Sequence, residues 1–115
     1  MHVGTEWLVD AARCSADALR DLQTVRALCE TVLRRLELKV VGEGQWHAFG
    51  GEGGVTGIYL LTESHLSCHT YPEHGTLTLN LYCCRARPEF PWKEELARAV
   101  GAAIVDVRVI TRGVP

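Results

Sequence analysis

Between Val55 and Cys84 the chain gathers the side chains that acyl transfer and proton transfer require. Thr56, Ser64, Ser67 and Thr70 bring hydroxyls, His65, His69 and His74 bring imidazoles, and Cys68, Cys83 and Cys84 bring thiols. A hydroxyl or thiol becomes a nucleophile when a base or the local backbone activates it, and imidazole moves protons near neutral pH. Most of these groups lie in one string, ESHLSCHTYPEHG (63–75), directly after VTGIYLLT (55–62). Residue types alone leave a plain reading open, in which hydroxyls and imidazoles on the polar face of a strand simply meet solvent. A metal reading is weaker. The best cluster is Cys68, His69, Cys83 and Cys84, and its spacing is wrong for a closed tetrahedral site. The five cysteines, at 14, 29, 68, 83 and 84, are odd in number and contain no C-x-x-C pair. Reduced thiols in a cytoplasmic protein are expected, with no disulfide framework and no metal.

The elements that must position these groups can be read from periodicity. Residues 5–13 read as a strand. Ser15 is a good N-cap for a helix over about 16–36, where Leu19, Leu22, Val25, Leu28, Val32 and Leu36 form one apolar stripe. Residues 38–49 look extended, and the glycines around Glu52 mark a loop. VTGIYLLT (55–62) and HLSCHTY (65–71) read as strands, PEHG (72–75) as a turn, and TLTLNLYCC (76–84) as a strand alternating between apolar and polar faces. Pro91 is placed to start a helix through 92–100 that Gly101 ends, and 102–110 is a last strand. This order predicts an α+β fold, an antiparallel sheet with two helices packed on one face. The bare face or an edge of the sheet is left for a second copy.

Length and charge narrow the function further. One domain of 115 residues, 47% hydrophobic with net charge −2, can hold a core without staples. It lacks the basic stripe of a nucleic-acid binder and any apolar run that would span a membrane, and its first residues do not resemble a secretory signal.

The order of residues in the dense segment is more telling than their types. Gly54-Val55-Thr56-Gly57, then Glu63-Ser64-His65-Leu66-Ser67-Cys68-His69-Thr70-Tyr71-Pro72-Glu73, then Cys84 twenty residues after Ser64, resembles the prokaryotic type of the S-adenosylmethionine decarboxylase proenzyme family. The likeness extends over most of the chain, including Trp46-His47-Ala48-Phe49 and Pro91-Trp92-Lys93.

The resemblance implies a self-processing enzyme. The Ser64 hydroxyl would attack the Glu63 carbonyl, giving residues 1–63 as a beta chain and 64–115 as an alpha chain headed by a pyruvoyl cofactor made from Ser64. Thr56 matches a hydroxyl that assists processing, and His69 a base that takes the α-proton. The substrate amine would form a Schiff base with the pyruvoyl carbonyl, which serves as an electron sink. Cys84 matches the proton donor, a role open to a thiol because thiols are mostly protonated at neutral pH. Its neighbour Cys83 competes on chemistry; spacing favours Cys84. Phe49 matches an aromatic that stacks on adenine, and Glu73 an acid near the substrate. The implied product feeds spermidine synthesis, and the implied assembly is a homodimer of processed protomers with sites at or near the interface.

Several positions depart from the family pattern. Tyr71 stands for a tryptophan, Arg85 for a glycine, Asn80 for an acid and Glu6 for a histidine, and the GGEGG loop is longer. These changes leave the reaction type and open the substrate. The same machinery could act on arginine or ornithine, with Glu52 as an acid favouring a basic substrate. A third reading is an unprocessed regulatory homolog.

Overall fold

Six stretches pair into one sheet; alternation lets a strand bury one face and leave the other to solvent, most cleanly in Thr76–Cys83. The computed structural model describes residues 1–85 and 87–115. In chain order the elements are β1 (Gly4–Ala12), α1 (Ala16–Arg20), α2 (Leu22–Arg35), β2 (Gln45–Ala48), β3 (Val55–Leu60), β4 (Ser64–Tyr71), a 3-10 turn (Pro72–His74), β5 (Thr76–Cys83), α3 (Trp92–Val100) and β6 (Ile104–Arg112). The sheet order is β2-β3-β4-β5-β1-β6 and every neighbouring pair is antiparallel. The expected α+β architecture is present.

Register fixes the faces. Val109, Trp7, Leu81, Leu66 and Tyr59 form one cross-strand row, and Val9, Leu79 and Cys68 lie in the next. Val9, Leu66, Cys68, Tyr59, Leu79 and Leu81 of these rows, with Leu19, Val25, Val32, Leu96 and Val100 from the helices, make the core; Trp7 packs against it and Val109 at the sheet edge stays exposed. The other face carries Glu6, His65, His69, Thr56, Asn80 and Tyr82, and among the described residues no helix covers it. Among the described residues no helix is long and apolar enough to cross a membrane.

One expectation needs correction. The single helix over 16–36 is broken at Asp21, whose extended backbone (φ −87°, ψ 106°) ends α1 and begins α2. Leu19 and Val25 on either side are both fully buried. The apolar period therefore runs through the break and conceals it; the signal was Asp21 itself, a residue suited to caps. Among the described residues three helices, α1, α2 and α3, lie against the sheet where two were expected. The stretch 38–49, read as extended, contributes the short β2, a bridge between Val40 and Leu61, and backbone bonds from the Val41 N–H to the Leu60 carbonyl and from the Thr62 N–H to the Lys39 carbonyl.

Thr70 is the one buried polar side chain among the described residues. Its hydroxyl donates to the Leu19 carbonyl (2.7 Å) and accepts from the Val55 N–H (2.9 Å), tying β4 to α1 and to the start of β3. Gly54 is required beside it, since a Cβ there would lie 2.1 Å from the Thr70 carbonyl oxygen. Gly57 is required under the Trp46 ring, 2.5 Å from where its Cβ would be. Both glycines of Gly54-Val55-Thr56-Gly57 thus serve close approach across β3. Thr70→Val keeps the volume but strands two buried backbone groups. We expect it to lower the unfolding free energy by about 1–3 kcal/mol, read from urea melts in a Ser64→Ala background that keeps the chain in one piece.

Candidate active site

The bond between Glu63 and Ser64 lies in the tight turn joining β3 to β4, closed by the Leu61 N–H donating to the Ser64 carbonyl (3.0 Å). Ser64 is the first residue of β4 and pairs with Cys83 of β5. One side of the bond is therefore fixed by the ladder, while the Glu63 carbonyl projects from the turn. Strand alternation then separates the two cysteines. Cys83 is buried in the core, where desolvation pushes its thiol up and the Ser64 hydroxyl, a hydrogen-bonding neighbour, partly offsets that rise. Cys84 is exposed, and its Sγ donates to the Glu63 carbonyl oxygen at 2.6 Å. Of the two cysteines it is Cys84 that meets this carbonyl. The next residue, Arg85, sets its Nε 2.9 Å and 3.0 Å from the two Glu63 carboxylate oxygens.

A second cluster forms at the far end of the same two strands. Thr56 of β3 and His69 of β4 are cross-strand partners, with Oγ1 and Nδ1 3.0 Å apart. They open into a cavity of about 450 Å³ that Phe49, Tyr71 and Glu73 also line. Phe49 is 65% exposed and stands edge-on to His47, ring centroids 4.7 Å apart. Glu73 lies on the 3-10 turn, exposed. Among the described residues no group of three or more His, Cys, Asp or Glu side chains is placed to hold a metal.

The structure therefore brings Glu63, Ser64 and Cys84 together, and Thr56, His69, Phe49 and Glu73 together, but not the two groups with each other. Ser64 and His69 are five residues apart on one strand. That is about 17 Å at roughly 3.3–3.4 Å per residue, and an odd separation puts their side chains on opposite faces. Glu52 belongs with neither group as a free charge. It is 91% exposed and paired with Arg20 at 2.8 Å, so the acid suggested for a basic substrate already has a cation.

The chain matches the S-adenosylmethionine decarboxylase family over residues 5–113. The chain belongs to the S-adenosylmethionine decarboxylase family. Membership makes it a decarboxylase, a lyase of carbon–carbon bonds. It is 29% identical over 113 residues to the S-adenosylmethionine decarboxylase proenzyme of Sulfurihydrogenibium sp., covering 97% of this chain and 84% of that protein. The proenzyme of Persephonella marina is 30% identical over 112 residues, covering 96% and 83%. An arginine decarboxylase proenzyme from Hyperthermus butylicus is 34% identical over 77 residues, 67% of this chain and 54% of that one. The crystal structure of the adenosylmethionine decarboxylase from Aquifex aeolicus superposes with a TM-score of 0.78 at 27% identity, covering 99% and 93%.

Two departures from the S-adenosylmethionine decarboxylase pattern touch each other. Glu6, in place of a histidine, accepts from the Asn80 amide at 2.6 Å, and Asn80 stands in place of an acid. Arg112 of β6 adds an ion pair to the same carboxylate at 2.7 Å. No local pattern marks Arg112, because residues 6, 80 and 112 meet only through the sheet. The Asn80 hydrogen bond, then Arg112, hold the Glu6 carboxyl below its ordinary value. A depressed carboxylate stabilises the fold above its unfolded pKa, and that contribution is lost as pH falls through the folded one. The stability gap between the protein and its Glu6→Gln variant should be constant near neutral pH and narrow below about pH 4, again in the Ser64→Ala background. A gap that stays constant down to the acid limit would show that the charge of Glu6 contributes nothing.

Proposed function

We propose that this protein is a proenzyme that cuts itself between Glu63 and Ser64 and then decarboxylates S-adenosylmethionine. The observation that carries the reading is the Cys84 thiol on the Glu63 carbonyl, with the Ser64 hydroxyl next in the chain. A donor aimed at that oxygen stabilises the charge that grows there when the hydroxyl attacks the carbonyl carbon. The Glu63–Ser64 amide becomes an ester on the Ser64 oxygen and frees the Ser64 nitrogen. A base then removes the Ser64 α-proton, and the Glu63 carboxylate leaves with the oxygen. Water hydrolyses the dehydroalanine that remains, releasing ammonia and a pyruvoyl end at residue 64.

That pyruvoyl carbonyl supplies the electron sink for loss of CO2. The residues present suit it, because it arises in place at the head of β4, beside a thiol. Cys84 is then positioned to return a proton to carbon. Phe49, exposed at the mouth of the cavity, offers a ring face to a planar base, and Glu73 a carboxylate to a cationic substrate.

His69, oriented by Thr56, is the base for the α-proton. It cannot reach Ser64 of its own protomer, so the reading requires a second copy that supplies Thr56 and His69 to the first copy's Ser64 and Cys84. The helix-free sheet face suits such pairing. It carries His69 and the half-exposed apolar side chains of Ile58, Leu60, Ile104 and Ile110. Such a two-fold homodimer is the commonest assembly. Five free cysteines suit the reducing cytoplasm, where the product would enter polyamine synthesis.

The likeness to an arginine decarboxylase proenzyme favours one second reading, the same machinery acting on arginine. Intact-mass spectrometry under reducing conditions tests the first step. We expect two chains, 1–63 and a pyruvoyl-headed 64–115, with Ser64→Ala remaining whole and His69→Ala slowing the cut by about 10²–10⁴-fold. Turnover of S-adenosylmethionine over arginine and ornithine tests the second step, and turnover of arginine alone would replace the substrate. A single intact chain, stable over days, would favour the regulatory homolog.

A further inference from the structure

We infer that Arg85 is a positioning residue for self-cleavage, holding the Glu63 side chain so that the Glu63 carbonyl stays on the Cys84 thiol. The inference rests on the self-cleaving reading above and assigns a task to a residue that the family pattern does not supply. Glu63 is gripped at both its ends. Cys84 holds the backbone carbonyl and Arg85 holds the carboxylate, and the two grips come from consecutive residues. Both follow directly on β5, whose Cys83 pairs with Ser64. The strand that fixes Ser64 therefore also fixes the carbonyl that its hydroxyl must reach. Glu63 is a turn residue whose side chain is 41% exposed even with the guanidinium on it; without that contact it is free to rotate and to carry its carbonyl off the thiol. Attack within a chain depends steeply on the reacting atoms being held in line, so an anchor on the residue before the cut acts on the rate without touching the reacting atoms.

Arg85 is 70% exposed, which limits the effect. An exposed ion pair is weak and is screened by salt. Arg85→Gln should slow the first-order cleavage about two- to fivefold. Glu63→Gln should slow it as much, and the double variant no more than either, because they remove one interaction. Arg85→Lys should recover most of the rate. A purely structural role would not give the decisive pattern: cleavage by the unaltered protein slows between low and molar salt, cleavage by Arg85→Gln does not, and their melting temperatures coincide.

Cleavage should be followed by denaturing gel and intact mass on freshly refolded chain at two salt concentrations. Wild-type rates for Arg85→Gln, or an equal slowing at both salts with a lowered melting temperature, would overturn the inference and leave self-cleavage standing. A wild-type chain that never cuts would overturn self-cleavage, and this inference with it.

Discussion

The antiparallel register of β3 against β4 places Thr56 opposite His69 and leaves Glu63 and Ser64 in the turn between the strands. A slip of one residue would move every side chain of β3 to the opposite face and unmake the Thr56–His69 contact. The register is held from below. Thr70 fastens the start of β3 and the end of α1 to β4, and Gly54 and Gly57 let the backbone and the Trp46 ring close in. The core face of the sheet thereby sets the geometry of the chemical groups on the turn and on the open face.

The same hairpin keeps its two sets of groups apart. The turn presents a carbonyl to a thiol, and the far end presents a hydroxyl to an imidazole, with the length of β4 between them. Strands are stiff, so no side-chain rotation closes about 17 Å. In the reading proposed here, pairing of two bare sheet faces closes it, and the open face has functional work as well as an assembly role. Its charges are largely answered within the protomer. Glu6 has Asn80 and Arg112, and Asp10 has Arg108. A face with compensated charge costs less to bring against a second copy than one with bare carboxylates.

Much of this was legible from the sequence because it depends on local pattern. A β-branched apolar run marked β3, clean alternation marked β5, Ser15 marked a helix start, and Pro91 and Gly101 bracketed α3. The order of residues from Gly54 to Glu73, with Cys84 beyond, pointed to the family. The rest depends on contacts between residues far apart in the chain. Glu63 and Arg85 meet because β5 returns beside β4, and Glu6 and Arg112 meet because β1 lies between β5 and β6. Neither pair follows a periodicity. Proximity in sequence also misled: Ser64 and His69 look like members of one site when five residues apart, yet strand geometry sends them to opposite faces. The break at Asp21 was hidden because the apolar period continued through it.

Co-expression of a Ser64→Ala chain with a His69→Ala chain, distinguished by mass tags, tests the central claim most directly. The first keeps the Thr56–His69 pair and cannot cut itself, and the second keeps Ser64 and Cys84 and lacks the base. If sites are completed between copies, the His69→Ala chain alone remains largely uncut, and in the mixture it is cut into 1–63 and 64–115 while its partner stays whole. If mixing produces no cleavage beyond that of the His69→Ala chain alone, His69 does not act across the interface, and the two-copy site is wrong.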